Sequence, residues 1–392
     1  MVSPTSAHSR IGLIVVYAVV FGLFLDSQSL APLIAPYAVS LGASVALAGL
    51  IGGAYSAINL LGNLGAGYWS DRIGRKLPVV AGLAIAGVAL LLYPLAAEPY
   101  LLLGLQMMHG LGAALVSPAC LAYIGDRTAA TGRGRAMALY GVAAGVAGLV
   151  GPPLAGLLRD QWGYSSVFWL LAATILMLVL PASRLITESF PTKAVRVEGS
   201  VRRVLHNRRL LLAYASAFCW MLGLGTLLVF LPLMGQAWGF TSARIGLLFA
   251  SFALAATIIQ ASPLGRLSDR WGREATIMFA LVLVALALVL LSFLNQWATL
   301  MAGMFVYGIG FGFLFPAMSA LIADETELQT RGTASGIFTA AFSLGVIVGM
   351  GSAGGLVWLQ QTAHIHPFQF VALIVLLGVA WAGVVLLTRT QR

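Results

Sequence analysis

The sequence predicts an all-α integral membrane protein with twelve transmembrane helices in two pseudo-symmetric six-helix halves. Three observations lead to this prediction. Of the 392 residues, 60% are hydrophobic and only 9% are charged, whereas soluble domains carry about 25% charged residues. Apolar runs of about 20 residues, long enough to cross a bilayer, recur along the chain. A charged loop motif occurs twice, 198 residues apart, which is about half the chain length.

The apolar runs fall into two sets of six around one polar stretch, residues 184–209. The first six predicted spans lie near residues 11–35, 45–67, 77–95, 100–124, 136–158 and 165–183. The other six lie near residues 210–235, 242–264, 276–294, 298–322, 333–359 and 368–388. The halves are therefore residues 1–183 and 210–392, joined by a linker. The end of the linker, 201–209, predicts either a short helix on the membrane surface or a flexible tether.

The repeated motif supports a duplicated unit in the membrane. Its copies read Gly67-Tyr-Trp-Ser-Asp71-Arg72-Ile-Gly74-Arg75-Lys76 and Gly265-Arg-Leu-Ser-Asp269-Arg270-Trp-Gly272-Arg273-Glu274. The same offset carries Pro118 onto Pro316 and Asp126 onto Asp324. Internal repeats of this kind are typical of membrane transport proteins.

The basic residues predict the orientation. With both termini in the cytoplasm, 20 of the 22 lysine and arginine residues fall on the inner side, and only Arg159 and Arg244 fall outside. We therefore expect a multi-pass protein of the cytoplasmic (inner) membrane. The formal net charge of +10 suits an anionic inner leaflet of the lipid bilayer, so no nucleic-acid partner is needed to explain it.

Asp26 is the only acidic residue well inside a predicted span. A charge near the bilayer centre costs about 2.5 to 3.5 kcal/mol, so such residues are usually functional. Burial favours the neutral form of a carboxyl group, which would allow it to bind and release a proton. Asp26 is thus a candidate for proton coupling; direct contact with a cationic substrate and simple hydration near the outer interface remain alternatives.

Placed between the second and third spans, the loop motif resembles that of the major facilitator superfamily, and the resemblance covers residues 10–390. The fifth span resembles the superfamily's twelve-helix drug and metabolite:proton antiporters in its glycine and proline pattern, at Gly145, Gly148, Gly151, Pro152 and Gly156. The resemblance implies the major facilitator fold, alternating access and a charge cluster that closes the cytoplasmic side. The gate residues are then Gly67, Asp71, Arg72, Gly74, Arg75, Lys76, Asp126, Asp269 and Arg273. A topological anchor without a gating role is the alternative for this loop, and ordinary tight packing is the alternative for the fifth span.

The fourth span departs from the antiporter pattern. Gln106 stands where proton-coupled antiporters have arginine, and His109 stands where they have glutamine. The intramembrane positive charge is therefore missing. Because imidazole changes its charge near physiological pH, His109 is a second candidate for proton coupling, with a packing role as the alternative. Uncoupled facilitated diffusion also stays open.

A substrate cavity is expected near mid-membrane between the halves. Its predicted lining consists of polar and aromatic side chains on the inward-facing helices: Asp26, Asn59, Asn63, Gln106, His109, Trp220, Gln260, Tyr307, Phe311, Phe338 and Phe342. Aromatic and amide groups with a single carboxylate favour small amphiphilic solutes that are neutral or carry one positive charge. Polyanions are disfavoured because no lysine or arginine is predicted deep within a span.

These features predict a secondary active transporter, not an enzyme. The sequence carries no P-loop and no metal-ligand spacing, so we expect no cofactor and no metal, with the proton gradient as energy source. We expect a monomer that exports a drug or metabolite. The alternatives are an uncoupled facilitator or a lipid or lysolipid transporter on the same fold and, less favoured, a membrane sensor that does not transport.

Overall fold

The computed structural model describes residues 7–128, 132–188, 200–327 and 330–387. In these ranges the chain forms sixteen α-helices and two short 3-10 segments, Tyr93–Leu95 and Pro263–Arg266, without any strand. The predicted all-α class is confirmed. The chain divides into two compact units, one of Met1–Ala194 with Thr241–Gly246 and one of Val195–Phe240 with Leu247–Arg392.

The described residues of the first unit form seven complete helices. They are α1 (Ala7–Leu30), α2 (Ile34–Ser40), α3 (Val45–Ile73), α4 (Lys76–Leu92), α5 (Pro99–Arg127), α6 (Arg133–Trp162) and α7 (Tyr164–Leu185). Within this unit α5 packs against α3 and α4, while α1 packs against α6, α7 and α5. These contacts bring α1, α5 and the end of α4 together around one buried region.

The second unit contains the remaining helices. They are α8 (Ser200–His206), α9 (Arg208–Ala237), α10 (Ser242–Ala261), α11 (Leu267–Trp271), α12 (Arg273–Leu291), α13 (Trp297–Asp324), α14 (Arg331–Gly351), α15 (Ala353–Ala363) and α16 (Pro367–Leu387). The first turn of α10, through Gly246, groups with the first unit. Within the second unit α9 packs against α14, and α12 packs against α13 and α16.

Eleven of the described helices are long and apolar enough to cross a membrane. The twelfth candidate is a broken span, Ala353–Ala363 followed by Pro367–Gly383, in which the two helices are bent by 107°. The described part of the chain thus agrees with twelve predicted spans, except at two boundaries. The span predicted at 11–35 ends as a helix at Leu30, because Pro32 disfavours helical geometry in the residue before it. The span predicted at 333–359 is interrupted at Ser352, where α14 ends and α15 begins.

The predicted linker contains one described helix, α8, over Ser200–His206. This agrees with the helical alternative for the end of the linker. Residues 189–199 lie outside the described part of the chain.

The two units use glycine in the same way where helices approach closely. A Cβ atom on Gly110 in α5 would lie 2.5 Å from the backbone oxygen of Tyr55 in α3. A Cβ atom on Gly308, the repeat mate of Gly110, would lie 2.3 Å from the backbone oxygen of Phe252 in α10. Only glycine allows such backbone contact. The duplicated glycines therefore position α3 against α5, and α10 against α13, in their respective units.

Candidate functional site

Asp26 and His109 form a buried pair in the first unit. Asp26 lies on α1 and His109 on α5, and each residue is 1% exposed. The Nε2 atom of His109 is 2.7 Å from Oδ2 of Asp26. Packing of α1 against α5 brings together two residues that are 83 positions apart in sequence. The two side chains proposed from sequence for proton coupling are thus hydrogen-bonded neighbours.

Tyr93 extends this pair into a chain of four buried side chains. Its hydroxyl lies 3.1 Å from Nδ1 of His109 and donates a hydrogen bond to Oε1 of Gln106 at 3.0 Å. Tyr93 is fully buried and Gln106 is 3% exposed. Sequence reasoning missed Tyr93. The available signal was a tyrosine followed by proline at the end of an apolar run, where a buried hydroxyl requires a polar partner.

The surroundings of the pair are aromatic and apolar. The ring of Tyr55, on α3, packs edge-on to the imidazole of His109 with centroids 5.0 Å apart. Phe24, two residues before Asp26, packs edge-on to Tyr140 of α6. In the described residues no lysine or arginine bonds to either member of the pair. The second carboxyl oxygen of Asp26, Oδ1, is buried and has no hydrogen-bond partner among the described residues.

Asn59 and Asn63 bond to each other. Both lie on α3, and Nδ2 of Asn63 donates to Oδ1 of Asn59 at 2.9 Å. The Oδ1 atom of Asn63 is buried and unpartnered among the described residues. These predicted cavity residues therefore form a separate polar pair with one oxygen available for hydrogen bonding.

The second unit holds an aromatic cluster centred on Trp220. The indole stacks on Phe311 at 3.9 Å between ring centroids, with an interplanar angle of 9°. The hydroxyl of Tyr307 donates to the backbone oxygen of Trp220 at 3.0 Å. The cluster consists of Trp220, Phe252, Tyr307, Phe311, Phe315, Phe338 and Phe342.

Five members of this aromatic cluster were predicted from sequence as cavity residues; Phe252 and Phe315 were missed. Phe315 lies four residues after Phe311, so the helical period could have revealed it. Trp220 Nε1 is buried without a hydrogen-bond partner among the described residues. Gln260, another predicted cavity residue, is exposed on α10.

The first copy of the loop motif turns at Gly74, which has a φ angle of +90°. Arg75 is 5% exposed, and its Nε atom lies 3.3 Å from Oδ2 of Asp126. Glu188 accepts hydrogen bonds from the backbone N–H groups of Arg75 and Lys76 through Oε1, at 2.5 and 3.1 Å. Its carboxylate therefore satisfies free N–H groups at the start of α4. Sequence reasoning missed Glu188.

For three further predicted gate residues, the structure gives only the helix to which they belong. Gly67, Asp71 and Arg72 belong to α3, but the side chains of residues 64–72 lie outside the described part of the chain.

The second copy of the motif is paired differently. Arg273 bonds to Asp324 at 3.1 Å and also to Asp269. Glu274, which replaces Lys76 in this copy, forms an ion pair with Arg209 at 2.5 Å. Arg209 pairs with Glu325 as well. The second unit thus ties the start of α9 to α12 and to the end of α13 by charge.

The glycine and proline pattern lies on α6, which runs unbroken through Pro152 and carries Gly145 and Gly148. A Cβ atom on Gly151 would lie 2.9 Å from Oγ of Ser29, and one on Gly156 would lie 2.3 Å from the backbone oxygen of Ser242. An added side chain would therefore clash at both glycines, with Ser29 at Gly151 and with the backbone of Ser242 at Gly156, within the first unit. Nearby, the carboxylate of Asp160 accepts the backbone N–H groups of Ser242 and Ala243, at 2.9 and 2.8 Å.

Comparison with known proteins decides the family. The family model described as Major Facilitator Superfamily matches residues 16–233 and 213–392. The chain belongs to the major facilitator superfamily. It is accordingly a multi-pass membrane transporter and not an enzyme. In its described residues, no group of three or more histidine, cysteine, aspartate or glutamate side chains gathers as a metal site would require.

Relatives of this major facilitator protein include named transporters. Multidrug resistance protein 2 of Bacillus subtilis (strain 168) is 25% identical over 376 residues, covering 93% of this chain and 92% of the relative. Inner membrane transport protein YajR of Escherichia coli (strain K12) is 27% identical over 333 residues, covering 83% of this chain and 72% of the relative. Among solved structures, the nucleoside transporter NupG (D323A mutant) superposes with a TM-score of 0.77 at 15% identity, covering 96% of this chain and 99% of NupG. That likeness shows the shared fold.

Proposed function

We propose that this major facilitator protein is a proton-coupled exporter of small amphiphilic solutes that are neutral or carry one positive charge. The observation that carries the proposal is the buried Asp26–His109 pair, with 2.7 Å between Oδ2 and Nε2. A carboxyl group and an imidazole at this distance can share one proton. That proton is the species we propose to be exchanged during alternating access.

The chemistry of the pair requires no cofactor. When the pair is loaded, the proton lies between Oδ2 of Asp26 and Nε2 of His109. When the O–H or N–H bond breaks, the proton leaves to water on the open side of the membrane, and a carboxylate and a neutral imidazole remain. Because no lysine or arginine of the described residues bonds to the pair, His109 takes the role that the resemblance assigns to an arginine at Gln106.

The proton gradient can supply the required energy. One proton moving inward across 100 mV releases about 2.3 kcal/mol. This corresponds to about a fiftyfold concentration ratio for an exported neutral solute. The proposal places the protein in the cytoplasmic membrane with both termini inside, as the distribution of lysine and arginine favours. It also takes the transporter to work as a monomer.

The aromatic cluster of the second unit supports the proposed substrate class. Stacked rings bind planar apolar groups, and their faces attract a single positive charge. The printed name of the B. subtilis relative, a multidrug resistance protein, is consistent with such solutes. Export, rather than import, is the direction favoured by that relative and by the glycine and proline pattern of α6.

The test is transport by the purified full chain in proteoliposomes with an imposed pH gradient. Two probes cover the proposed class: ethidium, an aromatic monocation, and radiolabelled chloramphenicol, a neutral aromatic solute. We expect uphill movement of at least one probe, driven by the gradient and abolished by Asp26→Asn. His109→Gln should act likewise, because an amide does not carry the proton.

Glu98→Gln is the matched control, since Glu98 is an exposed acid on the same unit. It should transport as the native protein does. Failure of both probes to respond to the gradient would show that the substrate class or the coupling is wrong. Uphill transport by Asp26→Asn at the native rate would show that the proton is carried elsewhere.

A further inference from the structure

We propose that Tyr93 and Gln106 hold the ring proton of His109 on Nδ1, so that the hydrogen bond between Asp26 and His109 exists only while the pair carries a transported proton. This inference rests on the proposed function of the pair. It assigns to Tyr93 and Gln106 the role of positioning residues, which act on the proton site through His109.

The direction of hydrogen bonding sets the ring proton. A tyrosine hydroxyl has one proton to donate. The hydroxyl of Tyr93 donates it to Oε1 of Gln106 at 3.0 Å. The oxygen of Tyr93 therefore faces His109 with a lone pair, and the 3.1 Å contact with Nδ1 requires a proton on that nitrogen. In a neutral imidazole with Nδ1–H, Nε2 is an acceptor only.

The contact with Asp26 then depends on one further proton. If Asp26 were ionised and His109 neutral, two lone pairs would face each other at 2.7 Å in a buried site. Placing the proton on Oδ2 converts this repulsion into an O–H donor bonded to Nε2. The buried Oδ1 atom has no partner among the described residues. A neutral carboxyl group therefore suits the site better than a carboxylate, because an unpaired charged oxygen is costly to bury.

The opposite tautomer would remove this dependence. With the ring proton on Nε2, His109 would donate to the carboxylate of Asp26 and keep the bond after proton release. The link between α1 and α5 would then persist in both states. By holding the ring proton on Nδ1, Tyr93 and Gln106 make the hydrogen bond between α1 and α5 depend on whether the pair carries the transported proton. Loss of the proton thereby weakens the contact between two transmembrane helices.

Among the described residues, few other titratable groups lie near the pair. Tyr93 approaches from the 3-10 segment that follows α4, and Tyr55 approaches from α3. Tyr140 of α6 packs on Phe24, two residues before Asp26. From α7, Phe168 packs on Tyr93 and does not titrate. The pH dependence can therefore be assigned to the pair itself.

The test is nitrogen NMR on the full chain in lipid bilayers, with all histidines labelled with ¹⁵N. The chain has five histidines, and His109→Gln identifies the signals of His109. We expect Nδ1 to remain protonated across the pH range, while the proton at the Nε2 contact is lost as the pH rises. In Tyr93→Phe and Gln106→Met the ring proton should move to Nε2 at high pH.

A second measurement follows the carboxyl infrared band of Asp26, assigned by its absence in Asp26→Asn. In Tyr93→Phe and Gln106→Met the carboxylate gains an N–H donor, so the infrared bands of Asp26 at high pH should differ from those of the native protein, in which Nε2 offers no proton. Tyr37→Phe is the control. The buried hydroxyl of Tyr37 donates at 2.8 Å to the backbone oxygen of Tyr93, not to a side chain of the hydrogen-bonded chain from Asp26 to Gln106, so this variant should leave both signals unchanged.

Two results would overturn the inference: a native ring proton on Nε2 at high pH, or an unchanged tautomer and band in Tyr93→Phe and Gln106→Met. Neither measurement requires transport. A protein that shows the expected tautomer but moves no probe would count against the proposed function alone.

Discussion

Tyr307 occupies in the second unit the repeat position that His109 occupies in the first, and it donates its hydroxyl proton to the backbone oxygen of Trp220 at 3.0 Å. His109 at the same repeat position is bonded to Asp26. One duplicated helix position thus supports a polar pair in one half and an aromatic cluster in the other. This difference is consistent with the proposed binding of the proton by the first unit and of the solute by the second.

Phe342→Leu should weaken binding of an aromatic cation. Phe342 packs edge-on to Trp220 at 5.8 Å and to Phe338 at 4.7 Å. Because an aromatic pair contributes about 0.5 to 1.5 kcal/mol, KM for ethidium should rise roughly 2- to 13-fold, with kcat little changed. Phe293→Leu, at an exposed position of the same unit, should leave KM unchanged. Equal effects of the two variants would argue against a binding role for the cluster.

Glu188→Gln should destabilise the first unit. The carboxylate accepts two backbone N–H groups at the start of α4, where a negative charge also interacts favourably with the helix dipole. We expect a loss of about 1 to 2 kcal/mol in the free energy of unfolding. The measurement is the thermal unfolding midpoint of the purified protein in detergent.

Glu98→Gln provides the comparison for Glu188, since Glu98 is at the N-cap of α5 but its side chain makes no capping hydrogen bond. The thermal unfolding midpoint of Glu98→Gln should stay at the native value. A fall of the same size in both variants would refute the capping role of Glu188.

Gly74→Ala should destabilise the protein for two reasons that can be separated. Gly74 has a φ angle of +90°, and an added Cβ atom would lie 2.1 Å from Oε1 of Glu188. Gly42 has a φ angle of +91° but no atom within 4 Å of an added Cβ. Gly42→Ala should therefore show only the backbone strain, about 1 to 3 kcal/mol.

The unfolding midpoint of Gly74→Ala should be lower than that of Gly42→Ala, because the Glu188 cap is displaced as well. Combining Gly74→Ala with Glu188→Gln should cost less than the sum of the two single changes. Full additivity would mean that the cap and the turn are independent.

Arg209→Met should destabilise the second unit, because two glutamates would lose the arginine with which they form ion pairs. Glu274 and Glu325 both pair with Arg209, and their side chains are 16% and 17% exposed. Removing one partner from partly buried pairs should cost about 1 to 3 kcal/mol. Adding Glu274→Gln and Glu325→Gln should recover part of the loss in thermal unfolding. The control is Arg270→Met, at an exposed position, which should have little effect on the unfolding midpoint. If the triple variant recovered no stability, the loss in Arg209→Met would come from side-chain packing and not from the unpaired acids.

Asp26 and His109 could be proposed from sequence because ionisable groups stand out in apolar spans and are costly there. Tyr93 and Tyr55 carried no such signal, since aromatic residues are common in membrane helices and bear no charge. Glu188 stood at the edge of a polar linker, where an acid needs no explanation. Glu274 was recognised as a departure from the first motif copy, but its partner Arg209 is 65 residues away and was not predicted.

The prediction of a transporter rested on the resemblance of the loop motif and of the fifth span to the major facilitator superfamily. Composition, apolar run length and the duplicated motif were sufficient to predict twelve spans and two halves, because crossing a bilayer depends on hydrophobicity summed over about 20 residues. Such sums do not depend on where individual atoms lie. The series of hydrogen bonds from Asp26 through His109 and Tyr93 to Gln106 does depend on atomic positions, since donor–acceptor distances must agree to within a few tenths of an ångström. It required the close packing of α1, α5 and the 3-10 segment Tyr93–Leu95, which places residues from three separate helical segments in one buried contact.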